Sequence, residues 1–179
     1  GEPLRVTSAE TVDVPIPADS EIAIEGTIDP KDKITDGPFS EFLGYYGGKM
    51  PAYRMKVTCI TMRKDAIYLD LDAAHREHPM SMMLPNEAAV YKAVNPVVGD
   101  LRGVHFPPSG SCAHHAYISI RKGVQGEGKR AALAALAAVV FLKLVVVVNE
   151  DIDIFNDEEV LWAISTRVRG DLAIDIITG

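Results

Sequence analysis

Two carboxylates five residues apart, Asp36 and Glu41, flank a Gly37-Pro38 step. On a straight strand, residues five apart point to opposite faces; on a helix they sit well round from each other. Glycine followed by proline excludes both regular forms and turns the chain, so the two acids can converge on one pocket. Carboxylates held close push their pKa values apart, leaving one protonated and one ionised near neutrality. Such a pair can hand a proton to a reacting atom and take it back. Residue type and spacing leave a second reading open, a solvated acidic turn.

Other constellations carry less. Gly123 to Lys129 fits the GxxxxGK phosphate-loop pattern, and residues 145–151 imitate an acidic strand end. Arg130, however, replaces the Ser or Thr whose hydroxyl would bind Mg2+, so a glycine-rich turn into a helix is expected instead. His75 and His78 are three apart but precede Pro79, and His114 and His115 are adjacent, hence on opposite faces of an extended segment. With His105 they read as loop or surface histidines rather than a closed four-ligand metal site, and no metal ligands are assigned. Cys59 and Cys112 lie outside any CxxC and read as reduced thiols. Trp162, with Leu161, Ile164 and Val168, reads as core or subunit contact.

The 179 residues suffice for one domain or two small ones, and 47% hydrophobic with 24% charged content describes a globular protein with a core. A net charge of -7 and a pI of about 5.2 argue against nucleic acid as a partner. The longest apolar stretch, residues 131–148, is interrupted by Lys143 and reads as a helix followed by a strand, not a membrane span. No signal peptide is visible, and a cytoplasmic protein is expected. The first residue is Gly, and the last ones read as a strand, the pattern of a piece or subunit of something longer.

The elements that must position these groups follow from periodicity. Residues 12–15, 21–26, 52–62 and 66–71 alternate as strands, broken by a charged turn at 29–33 and by Asp36-Gly37-Pro38. In the third run, Tyr53, Met55, Val57 and Cys59, extending to Thr61, are expected on one face. Frequent turns suggest a barrel-like sheet or meander. The second half predicts a helix over 80–94 with Pro85 near its start and a strand at 116–120. A helix over 128–142 follows, apolar nearly all round and therefore buried. Residues 144–148 read as a strand covered on both faces. A helix capped by Asn156 or Asp157 and a strand at 172–178 complete the chain. The fold class is α+β, with a boundary between residues 75 and 82, taken as 1–78 and 79–179.

The run Val14-Pro-Ile-Pro-Ala-Asp-Ser-Glu-Ile-Ala-Ile-Glu-Gly26, followed by Asp36-Gly-Pro-Phe-Ser-Glu-Phe-Leu-Gly-Tyr-Tyr-Gly47, resembles the UbiD decarboxylase family. Residues 57–63, 145–153 and 160–167 resemble later segments of the same family, in order. The resemblance implies part of a flavin-binding split β-barrel, then an α/β domain with a mixed sheet flanked by helices that builds a homo-oligomer. It implies reversible, non-oxidative decarboxylation of an aromatic or α,β-unsaturated acid with prenylated FMN and Mn2+ or Mg2+. By resemblance, Glu41 is the acid/base, Asp36 holds an arginine of a Glu-Arg-Glu network, and Phe42 lines the substrate pocket.

Three departures qualify this. The family has Glu where Asp36 stands, one methylene longer, and many members have Asp where Asn149 stands. The network's arginine and the family's metal ligands come from sequence preceding Gly1. The implied chain therefore needs the N-terminal part of the enzyme, holds neither flavin nor metal alone, and has no assigned cofactor residues. The alternative is a non-catalytic oligomerisation module of the same fold.

Overall fold

The computed structural model describes residues 2–178, and the chain forms two compact units that divide between Asp72 and Ala73. The protein is α+β.

In the first unit, β1 (Val6–Ser8) and β2 (Pro15–Pro17) form a short antiparallel pair, and β3 (Ile22–Asp36) and β4 (Met50–Met62) a long antiparallel ribbon. The alternation at 21–26 locates β3, but the strand runs on to Asp36. The charged turn expected at 29–33 is instead an irregularity inside the ribbon, between the pairs Ile28↔Met55 and Lys33↔Tyr53. Residues 66–71, expected as a strand, have no regular structure, and Ile67 and Leu69 are exposed.

A second irregularity corrects the face assignment of β4. Glu25 pairs with Cys59 but Gly26 pairs with Val57, so Thr58 is an extra residue on β4. Residues directly opposite in an antiparallel ladder share a face. Ile22, Ile24, Gly26 and Ile28 therefore lie on one face with Met62, Ile60, Val57 and Met55, while Cys59 and Thr61 turn to the other. A Cβ on Gly26 would overlap the Lys56 carbonyl oxygen, so the close approach at this bulge requires glycine.

The opposite face is held by Glu25, which is buried. Its Oε1 accepts from the Glu10 N–H at 2.9 Å, and its Oε2 from the Thr11 N–H at 2.7 Å and hydroxyl at 2.8 Å. The Glu10 N–H, more than any other donor, holds this carboxyl below its ordinary pKa against the opposing effect of burial.

The second unit contains α1 (Glu77–Val94), β5 (Leu101–His105), β6 (His115–Ile120), α2 (Glu127–Ala138), β7 (Leu144–Asn149), α3 (Asp157–Arg167) and α4 (Gly170–Ala173). The sheet order is β5-β6-β7, with β5 antiparallel and β7 parallel to β6. Val90 and Val94 of α1 and Ala131 and Ala135 of α2 join one apolar cluster with Val104, Phe106 and Ile118. Tyr117, Ile152, Ile154, Val160 and Ala163 form a second, which brings α3 to the sheet. Asn156 caps α3, its Oδ1 accepting from the Glu158 N–H at 3.0 Å.

Three expectations change here, and one strand is unforeseen. The first helix starts at Glu77 and carries Pro85 well inside. The second is shorter than expected and amphipathic, burying Ala131 and Ala135 while Leu133 is exposed. Residues 101–105 form a strand that their composition did not announce. The tail expected as a strand at 172–178 is instead the end of α4 followed by irregular chain. No helix among the described residues is long and apolar enough to cross a membrane.

Glu127, at the first turn of α2, repeats the device of Glu25. Its Oε1 accepts from the Gly99 N–H at 3.1 Å, and its Oε2 from the Gly123 N–H at 2.6 Å and the Val124 N–H at 3.1 Å. The Val124 and then the Gly123 and Gly99 N–H groups lower its pKa from the ordinary 4.5. A carboxyl whose folded-state pKa is depressed contributes stability above its unfolded value, and that stability is lost as pH falls through the folded value. Thermal unfolding followed from neutral pH down to below 4.5 should show stability falling with acid. In Glu127→Gln that slope should be shallower and the neutral-pH stability lower.

Candidate functional site

The bend between β3 and β4 carries Asp36, Glu41 and Phe42. Asp36 is the last residue of β3, on the rung with Met50. Its side chain is exposed, and Oδ1 accepts from the Gly37 N–H at 2.9 Å. Gly37 has φ +84° and a cis bond to Pro38, so the chain leaves the ribbon sharply at the point expected from the Gly-Pro step. The loop then closes on itself. The Gly47 N–H donates to the Phe39 carbonyl at 2.8 Å, the Glu41 N–H to the Tyr45 carbonyl at 2.9 Å, and Ser40 bridges Tyr46.

Glu41 and Phe42 sit at the start of this small loop, half-buried. A Cβ added to Gly47 would lie 3.3 Å from Glu41 Cγ and 3.5 Å from Oε1, so the bare glycine makes room for the Glu41 side chain. Gly47 thus sets the space beside Glu41, within a glycine-dense stretch at residues 44–48. Gly37→Ala should strain the left-handed backbone and bring a methyl to 3.1 Å from the Gly48 carbonyl oxygen. The expected loss is about 1–2 kcal/mol in urea unfolding of the whole chain.

The other candidates resolve structurally. In the GxxxxGK segment, the amides of Gly123 and Val124 that would face a phosphate donate to the Glu127 carboxylate, and Lys129 Nζ is 2.8 Å from Asp175. Cradle and lysine are both occupied.

His105 and His115 are not surface groups but half-buried strand residues. His105 Nδ1 lies 2.9 Å from Glu87 Oε1, and His115 stacks on Tyr117 with Nε2 3.2 Å from Ser109 Oγ. Burial pulls the His115 pKa below its ordinary value. Tyr117 donates to Asp157 Oδ1 at 2.9 Å, and burial together with that carboxylate pushes the phenol up to about 12. Among the described residues, no group of three or more His, Cys, Asp or Glu could hold a metal ion. Trp162 is half-exposed on α3, with the Arg167 guanidinium 4.8 Å from its ring.

Residues 1–74 match the model of the UbiD 3-octaprenyl-4-hydroxybenzoate carboxy-lyase Rift-related domain, and residues 80–179 match the C-terminal domain of the same enzymes. The chain belongs to the UbiD family. An anhydromevalonate phosphate decarboxylase of Methanosarcina mazei is 42% identical over 159 residues, covering 89% of this chain and 37% of that protein. A gallate decarboxylase of Lactiplantibacillus plantarum is 33% identical over 98% of this chain and 38% of its own length.

Among solved structures, an evolved dimeric form of the UbiD-class enzyme HmfF from Pelotomaculum thermopropionicum, in complex with prFMN, has a TM-score of 0.88 at 42% identity. The match covers 96% of this chain and 40% of that one. The UbiD chain described here thus spans about two fifths of the relatives it matches.

Proposed function

We propose that this chain contributes the acid–base bend and the C-terminal domain to a UbiD-type carboxy-lyase, which removes CO2 from an aromatic or α,β-unsaturated acid. The observation that carries the reading is the β3–β4 ribbon. Ile24, Ile28, Met55, Val57, Ile60 and Met62 expose an apolar stripe on one face, and the carboxylates of Asp36 and Glu41 follow at one end. Ile24 and Ile60 are 57% and 54% exposed, and a contiguous patch of that kind calls for a cover. More than half of each relative lies outside the matched region, and that remainder is the proposed cover, completing a split β-barrel around the ribbon.

The residues present fit the acid–base side of a flavin site. When bound, prenylated FMN supplies the sink for the electron pair released with CO2. Glu41, as the carboxylic acid, delivers its proton to the carbon that has lost CO2, and as carboxylate takes one back in the carboxylation direction. Asp36 accepts from an arginine of the completing region. Phe42 presents an apolar wall to the substrate. The described residues offer no metal cluster, so no step is assigned to a metal. The complete protein works as a homo-oligomer.

The test is CO2 release from aryl and α,β-unsaturated acids by the chain joined to its completing region and loaded with prenylated FMN. Turnover of one class supports the reading. A protein that takes up the flavin, oligomerises and turns over neither class would instead be the non-catalytic assembly module. The chain by itself is expected to bind the flavin weakly, read as little retained visible absorption after gel filtration.

A further inference from the structure

The second unit carries within itself a cleft of about 440 Å3, walled by β5, β6, the segment 150–155 and α3. Most of the charge on its walls is balanced. Glu150 pairs with Arg121 at 2.7 Å and with Arg102 at 3.3 Å, and Asp151 with Arg167 at 2.7 Å. Asp153 and Glu159, which line the same cleft, form no ion pair among the described residues. Asp153 Oδ1 accepts from the Phe155 N–H at 2.9 Å, and Glu159 Oε2 from the Asp153 N–H at 3.0 Å. Each carboxylate therefore keeps one oxygen without a donor.

A second, independent observation comes from the floor. Ser119 is only 5% exposed, yet its hydroxyl has no hydrogen-bond partner among the described residues. It stands opposite Gly103 in the β5–β6 ladder, so the two share a face, and both line the cleft. A Cβ on Gly103 would lie 3.1 Å from Ile154 Cδ1, so glycine keeps the space above the floor open. A buried hydroxyl left unpaired costs stability, and a partner from outside the chain removes that cost.

We infer that this cleft binds an aliphatic diamine. A primary ammonium carries three N–H donors, and the cleft offers three unengaged acceptors: the Ser119 hydroxyl and the open oxygens of Asp153 and Glu159. The methylene stem lies along Ile154 and Phe155, the latter 70% exposed. A dication balances both unpaired carboxylates, whereas a monoamine leaves one uncompensated. A metal ion does not fit, since no group of three or more His, Cys, Asp or Glu among the described residues could hold one. The net charge of -7 draws cations toward the chain in general, and the cleft adds the selectivity. The inference rests on the second unit alone and does not depend on the carboxy-lyase reading.

Calorimetric titration of the complete protein with 1,4-diaminobutane at low salt tests it. Ser119→Ala should weaken binding by about tenfold, the effect of losing a hydrogen bond to a charged group. Its thermal midpoint should hold or rise, because the hydroxyl serves nothing inside the chain. Asp153→Asn/Glu159→Gln keeps both acceptors for the backbone N–H groups and should weaken binding by about 100-fold. Butylamine should bind about tenfold more weakly than the diamine, and Mg2+ at equal concentration should not displace it.

Absence of binding at millimolar diamine overturns the inference. Binding that Mg2+ displaces at equal concentration, or that both variants leave unchanged, is general attraction to an acidic surface and overturns it too. A blocked lysine (Nα-acetyl-lysine methylamide) that binds more tightly than the diamine would mean that a protein side chain, not a free diamine, is the natural occupant.

Discussion

Glu41→Gln should lower kcat of the complete, flavin-loaded enzyme by about 10²–10⁴-fold, the range in which a positioned general acid–base group operates. The amide keeps the volume of the side chain in the space that the bare Gly47 leaves for it, but cannot release a proton. Flavin absorption and substrate KM should therefore change little while the chemical step slows. Exchange of the product carbon's proton with deuterated solvent isolates that step and should slow in parallel. Activity within a few-fold of the parent would remove Glu41 from proton transfer. Asp36→Asn should also reduce kcat, but by less, since Asp36 acts on the reacting carbon only through its neighbours.

The part of this site that could be read from sequence is the part set by local chemistry. Glycine before proline between two acids predicts a sharp exit from a strand, and Gly37 at φ +84° makes it. The valine run at 144–148 and the Asn156 cap were legible for the same reason, since each depends on near neighbours. What escaped depends on distant partners. The extra Thr58 arises because Gly26 meets the Lys56 carbonyl across the ribbon, and nothing within β4 marks it; from there Val57 and Cys59 face opposite ways.

Nothing in the residues next to Glu25 or Glu127 marks either acid as buried. Their burial becomes tolerable only because backbone amides from segments well removed in sequence, at Glu10, Thr11 and Gly99, converge on them. The tail at 172–178 alternates as a strand should, yet its helical turn and its ion pair to Lys129 hold it otherwise. Strand propensity is a statement about having a pleated neighbour, and among the described residues the tail pairs with no strand.

Phe106→Ala is expected to be the most damaging single change to the second unit, at about 3–5 kcal/mol. Phe106 follows β5 and is 0% exposed, in one cluster with Val90 and Val94 of α1 and Ile118 of β6. Removing its ring leaves a cavity between helix and sheet that the surrounding β-branched side chains, stiff at χ1, fill poorly. The backbone anchors would persist: the Phe106 N–H donates to Glu87 Oε1 at 3.1 Å, and the same oxygen holds His105. The loss therefore reports packing rather than broken hydrogen bonds.

Trp162, the single tryptophan, lies on α3 in the same unit, so its fluorescence follows this unfolding without contribution from the ribbon. In urea the midpoint should fall with little change in slope. Because a domain commands only about 5–15 kcal/mol in total, a loss of this size removes a large share of it. A stability loss below about 1 kcal/mol would mean that the cluster collapses into the vacated space, a behaviour that close-packed interiors rarely allow.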